Sequence, residues 1–408
     1  MDQNPKQTVG FPPKSGPFGD LRVLDLTRVL AGPYATMILG DLGAEIIKVE
    51  QPEIGDEARG FGPFQNDFSL YFMSVNRGKK SITLNLKTDQ GQQIFHDLLA
   101  KCDVLVENFR AGTMAKLGLG YDQLREKYPR LIYAACSGFG QTGPYANRGA
   151  YDMIIQAMGG ILSITGEPDQ PPVRVGTSIG DITSALFTTI GVLSALHHRQ
   201  KTGQGQLVDV GMLDCQVSIL ENALVRYFSS GEVPKPLGRR HPAITPFEVF
   251  ESKDGYVVIA IGNDQLWQRF CQHVDRSDLV DDPKFKNNSS RTNNHSELRA
   301  IMNKVLSQKG TARWVEELAK IGVPCGPVNT IDKVVEDPQI RARDMIVDLS
   351  TQFAGKVQIP GIPVKLSQTP GQVDEPAPML GQHTEEVLAN LLGIPKTEIH
   401  NLQKLGII

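Results

Sequence analysis

Near the middle of the chain, Gly176-Thr177-Ser178-Ile179-Gly180-Asp181 carries two side chains able to do covalent chemistry. Ser178 completes a G-x-S-x-G pattern, between a run Val173-Arg174-Val175 that reads as a strand and an apolar helical stretch, the context a nucleophile elbow needs. Glycine occupies 40 of 408 positions, so one such match is a weak signal. No HGGG-type run accompanies it, and the histidines are scattered. Asp181 heads the stretch ITSALFTTIGVLSAL. A carboxylate there is either a helix cap or, in a glycine-rich opening, a nucleophile toward an activated acyl group. Periodicity alone leaves both readings open.

The elements that must position these residues follow from pattern. LRVLDL (21–26), a helix starting at Gly32-Pro33, and AEIIKVE (44–50) make a β-α-β unit. KSITLNL (80–86), DVLVENF (103–109) and LIYAACSG (131–138) add strands separated by helical segments, so the first 200 residues read as an open, mostly parallel sheet covered by helices. The turn after the first strand has neither G-x-G-x-x-G nor a P-loop pattern, which removes the main support for dinucleotide or nucleoside triphosphate binding. Farther on, Lys253-Asp254-Gly255 between β-rich runs predicts a hairpin with φ > 0 at the glycine. Helices are expected near 264–274 and 296–321, and strands MIVDL and KVQIPG that return to the first sheet.

Composition sets the class. With 42 Lys+Arg against 45 Asp+Glu and a net charge of −3, nothing in the total charge points to nucleic acid, and anionic ligands must be met locally. The five cysteines include no C-x-x-C pair, so neither a disulfide framework nor a metal site is expected. The first 20 residues read as a tail rather than a signal peptide. The apolar run 185–196 is shorter than the roughly 20 residues a membrane span needs. The reading is a cytoplasmic protein without a membrane partner.

Longer motifs carry a resemblance from residue 21 to the C-terminus. LDLTRVLAGPYATMILGDLGAEIIKVE (24–50), SLYFMSVNRGKKSITLNL (69–86), DVLVENFRAGTMAKLGLGYDQL (103–124), SGFGQTGPYANRGAYD (137–152), TGEPDQPPVRVGTSIGDITSAL (165–186), GVPCGPVN (322–329) and LGQHTEEVL (380–388) together resemble the class III CoA-transferases of CaiB/BaiF type. The resemblance implies transfer of CoA from an acyl-CoA donor to a free carboxylic acid, with no cofactor beyond CoA as substrate. It places the catalytic aspartate at Asp181 and a CoA-contacting turn at Arg28, Val29, Leu30 and Ala31. A second CoA segment falls at Asn108, Lys116 and Leu117. Arg77 and Lys79, with Lys80, form a basic cluster suited to CoA phosphates. Tyr151 and Asp152 match an active-site pair. Arg240 is a candidate for the distal carboxylate of a succinyl group, as are Arg239 and Arg148.

Two departures sharpen this reading. Racemases of the family have histidine where this chain has Tyr151, which leaves racemisation as the alternative; a non-catalytic acyl-CoA-binding subunit is the other. The polyglycine lid of some transferases is absent at Arg239-Arg240-His241-Pro242, which favours members handling succinyl-CoA and other dicarboxylates. The fold implied is α/β: a Rossmann-like large domain plus a smaller α+β domain, in an interlocked homodimer. The expected divisions are a tail (1–20), the large domain (21–225), a linker (226–246), the small domain (247–325) and a return linker with the end of the large domain (326–408).

Overall fold

The computed structural model describes residues 15–408; most of the expected tail lies outside the described residues. Its last residues are tied down, with Phe18 N–H donating to Leu42 O and Leu21 N–H to Phe18 O. The chain divides into two units. The first holds residues up to 161, 175–224 and 339–408; the second holds 162–174 and 225–338.

The first unit is built on a six-stranded sheet of β1 (Arg22–Asp25), β2 (Glu45–Glu50), β3 (Lys80–Thr83), β4 (Val104–Glu107), β5 (Ile132–Ser137) and β6 (Leu207–Gly211). Its order is β3-β2-β1-β4-β5-β6 and every pairing is parallel. This is the doubly wound Rossmann order, whose ligand crevice opens where the order reverses, outside the carboxyl ends of β1 and β4. The strands are short apolar runs because both faces are covered. Successive residues serve opposite faces: Leu24, Ile47 and Leu105 pack with Val387 and Leu391, while Val23, Ile46 and Val104 pack with Val192 and Ala195. The first set meets the helix Thr384–Leu392 and the second the long helix Ile179–Thr202.

That long helix has the length and apolarity of a membrane span. Its packing on the sheet, with Val192 and Ala195 fully buried, accounts for much of that composition. The strands Ile346–Thr351 and Gly355–Pro360 form where expected, but they pair with each other rather than with the main sheet. Each has found its partner across a short turn, so neither needs a sheet edge.

In the second unit, Phe247–Glu251 and Tyr256–Ala260 form the expected hairpin, and Cys325–Pro327 adds a third antiparallel strand. Gly255 is not among the glycines with positive φ, contrary to the sequence reading. The turn is held instead by Ser252 N–H on Gly255 O at 2.9 Å, and by Asp254 Oδ1 accepting Thr311 N–H at 2.7 Å. The helix expected over 296–321 is two, His295–Leu306 and Thr311–Lys320, with Gly310 at the second N-cap. Trp267, Phe270 and Trp314 fill this unit's core. Residues 162–174, expected in the large domain, group with this unit. Residues Glu221–Ser230 are helical where a linker was expected to begin.

Candidate active site

The segments after β1 and β4 meet at the switch point. Arg28 N–H donates to Asn108 Oδ1 at 2.9 Å, and Asn108 Nδ2 donates back to Arg28 O at 2.8 Å. The Arg28 guanidinium lies 5.2 Å from the centroid of the Phe109 ring and bonds Glu57 at 2.7 Å. Val29 has φ +67°, a rare conformation for a β-branched residue. Leu30 and Ala31 follow as the cap and first residue of the helix Ala31–Asp41 and are buried. Two segments far apart in sequence are thus fastened by the Asn108 side chain on the Arg28 backbone, and the Arg28 side chain is left exposed.

Asp181 stands in the first turn of the long helix. Ser178 is the N-cap residue, without a side-chain cap bond, so the Asp181 carboxylate does not cap this helix as one reading proposed. Burial, and then the charge of Asp152, push Asp181 up to about 7. Such a carboxyl group is half-ionised near neutral pH and poorly solvated, the state of a strong nucleophile. Asp152 Oδ1 accepts Gly180 N–H at 2.8 Å, and Gln156 Nε2 donates to Asp152 Oδ2 at 2.7 Å. Gln156 Oε1 in turn accepts Val175 N–H at 2.9 Å. Asp152 and Gln156 therefore hold both ends of the loop that delivers Asp181. A Cβ at Gly180 would stand 3.1 Å from Asp152 Oδ1, so glycine permits this close approach.

Gln156 escaped the sequence reading, although Asp152 and Gln156 are spaced i, i+4 on one helix, a spacing that pairs such side chains. Tyr71 escaped it too. Its half-buried phenol is raised to about 12 by burial and by the negative charges of Asp181, Asp56 and Asp152, which places it among the carboxylates of this region. Ser178 has no strand before it: residues 171–175 carry no regular structure, so the elbow geometry is missing.

The basic cluster is corrected. Arg77 bonds both oxygens of Asp41 at 2.9 and 2.6 Å, and Lys79 Nζ bonds Asp25, Pro33 O, Thr36 and Asn76. Both side chains are buried with their charges neutralised, so they support the fold rather than an external phosphate. Lys80 is half-buried between Glu45 and Glu386. Lys116 ends the short helix Thr113–Lys116 and is exposed; Leu117 packs on the core and its carbonyl accepts Gln92 Nε2 at 3.0 Å. Tyr151, 73% exposed, is the N-cap residue of helix Asp152–Met158. Arg148 lies over the Tyr145 ring at 4.5 Å. Arg240 belongs to the second unit, where it bridges Glu248 through the backbone, and Arg239 there pairs with Glu167 and Glu251. Among the described residues, no three His, Cys, Asp or Glu side chains gather as metal ligands.

Known proteins resemble this chain in sequence and fold. The family model for CoA-transferase family III matches residues 18–384. The chain is 46% identical to an acetyl-CoA:oxalate CoA-transferase of Acetobacter aceti, over 88% of this chain and 92% of that one. It is 39% identical to the succinyl-CoA:glutarate CoA-transferase of Mus musculus, over 96% and 90%. The crystal structure of a CAIB/BAIF family protein from Brucella suis superposes with a TM-score of 0.82 at 39% identity, covering 93% of this chain and all of that one. A match over nearly the whole chain, on a sheet that opens its crevice beside the fastened turns, makes this protein a member of CoA-transferase family III.

Proposed function

We propose that this transferase moves CoA from succinyl-CoA or a related donor to a dicarboxylic acid, with Asp181 as the nucleophile. The observation that carries the proposal is a half-buried carboxyl group, raised to about 7, at the head of a helix whose entry loop is clamped by Asp152 and Gln156. The Asp181 carboxylate attacks the donor thioester carbonyl, forming a mixed anhydride and releasing CoA thiolate. The thiolate attacks the aspartyl carbonyl, expelling the donor acid and leaving an aspartyl-CoA thioester. The acceptor carboxylate then attacks that thioester, and the freed thiolate takes the acceptor's acyl carbon, which regenerates Asp181. No electron is gained or lost, and no proton need leave a carbon atom. On this reading Arg28, Asn108 and Lys116 are the groups that meet CoA, supported by the fastening of the Arg28 backbone to Asn108. Relatives acting on oxalate, glutarate and mesaconate support a dicarboxylate acceptor.

A homodimer accords with the apolar side chains exposed on the long helix, Leu186, Phe187 and Ile190, and with Met153, Ile154 and Met158 on the helix packed against it. The five free cysteines accord with a cytoplasmic enzyme. The test is exchange from succinyl-CoA into oxalate, glutarate or mesaconate. A new acyl-CoA should form only with acceptor present, and Asp181→Ala should lower the rate by about a thousandfold or more. Acceptor-independent release of CoA, or full activity in that variant, would overturn the proposal.

A further inference from the structure

Beneath the turn at the switch point lies a set of buried charges that the transfer chemistry leaves unused. Lys48, on β2, is fully buried; its Nζ stands 2.9 Å from Asp56 Oδ2 and donates to Thr27 O at 2.6 Å. Asp56 Oδ1 accepts the N–H of Val29 at 2.9 Å and of Ala58 at 3.0 Å. The Asp56 backbone is itself fixed, since its N–H donates to Glu50 Oε2 at 3.0 Å. Glu50 is gripped by Arg59 through both oxygens, at 2.6 and 2.8 Å, and by the Ser81 hydroxyl at 2.6 Å.

Three side chains converge on one short stretch of backbone. Thr27 is held through its carbonyl by Lys48, Arg28 through both backbone atoms by Asn108, and Val29 through its N–H by Asp56. Val29 is the residue that needs holding. At φ +67° its branched Cβ crowds the backbone, and such a conformer persists only where the surroundings impose it. Nothing in the sequence of the turn itself, Thr27-Arg28-Val29-Leu30, favours this shape, because a glycine would supply it without strain. Burying an ammonium and a carboxylate is costly unless each is fully partnered, and a pair placed this way organises more than it stabilises.

We infer that Asp56, oriented by Lys48, is a positioning residue for CoA: it holds Val29 in the left-handed conformation that shapes the turn before any substrate arrives. The inference rests on the reading that this turn contacts CoA. A turn held in its binding shape binds with its intrinsic affinity, whereas one that spends most of its time elsewhere loses affinity in proportion to the competent fraction.

Two double variants isolate the hydrogen bond from the buried charge: Lys48→Met/Asp56→Asn and Lys48→Met/Asp56→Leu. Both remove the ion pair and keep similar volume, but only asparagine leaves an oxygen for the Val29 N–H. CoA affinity measured by calorimetry should be about tenfold weaker in the leucine variant than in the asparagine variant. KM for the acceptor acid should match between them, as should kcat at saturating donor. Equal CoA affinity in the two, with wild type binding CoA, would overturn the inference and leave the transferase reading standing; no CoA binding by wild type would overturn both. Amide hydrogen exchange on the wild-type protein without CoA is the second measurement and needs no variant. The Val29 amide should be protected at least a hundredfold over an open loop; exchange at the open-loop rate would contradict the inference.

Discussion

At the residue scale, Asp181 is a carboxyl group at odds with its surroundings. Its folded value of about 7 exceeds the ordinary carboxylate value of 3.8, so between those pH values the folded protein binds more protons than the unfolded one. Stability therefore falls as pH rises through that window, and the loss is complete above 7. Asp181→Asn removes the effect: the variant should melt several degrees higher than wild type at pH 8 and nearly the same at pH 4, by calorimetry, while losing transfer activity. Equal melting temperatures at pH 8 would show that the carboxylate is not desolvated. In the proposed mechanism only the ionised form attacks, so formation of a covalent intermediate should rise with pH to a plateau above about 7. Asp181 was singled out in the sequence through its glycine-aspartate pair within long motifs, and the structure adds its burial beside Asp152. Gln156, Asp56 and Lys48 were not, because a glutamine or lysine shows its role only when burial removes water and leaves one partner. Arg77 and Lys79 misled for the same reason: charge is visible in a sequence, but neutralisation by Asp41 and Asp25 across the fold is not.

At the scale of elements, the long helix links the site to the sheet. It packs on β5 and β6 and on the helix Ala31–Asp41, which follows the turn proposed to meet CoA. Gly191 marks the closest approach: a Cβ there would lie 2.4 Å from Val208 Cγ1 on β6. In an exposed helix Gly→Ala stabilises by up to about 1 kcal/mol. Here Gly191→Ala should instead destabilise by about 1–3 kcal/mol, read from denaturant midpoints, because the helix must lift off the strand; a stabilised variant would contradict this packing. The β-α-β units were readable because apolar runs of four to six residues alternate with helical periods. The pairing of Ile346–Thr351 with Gly355–Pro360 was misread, since alternation marks a strand without naming its neighbour. The break at Gly310 was missed because both flanking segments keep a helical period.

At the scale of the whole molecule, the chain leaves its first unit and returns to it twice, and residues 162–174 join the second unit. Such divisions follow from contacts between residues far apart in sequence, such as Gly238 N–H on Gly166 O, so sequence composition locates them only coarsely. The exposed Leu186, Phe187 and Ile190 belong to this scale as well. On the proposed homodimer, Ile190→Glu should shift the protein toward monomer in sedimentation velocity, whereas a wild-type monomer would refute that proposal. The account depends most on the covalent step at Asp181, which intact mass reads directly. After brief mixing with succinyl-CoA, the wild-type protein should gain the mass of CoA joined through a thioester. The gain should disappear on treatment with hydroxylamine and be absent in Asp181→Ala. A protein that turns over succinyl-CoA and acceptor without any such adduct, or an adduct that survives in Asp181→Ala, would contradict the account.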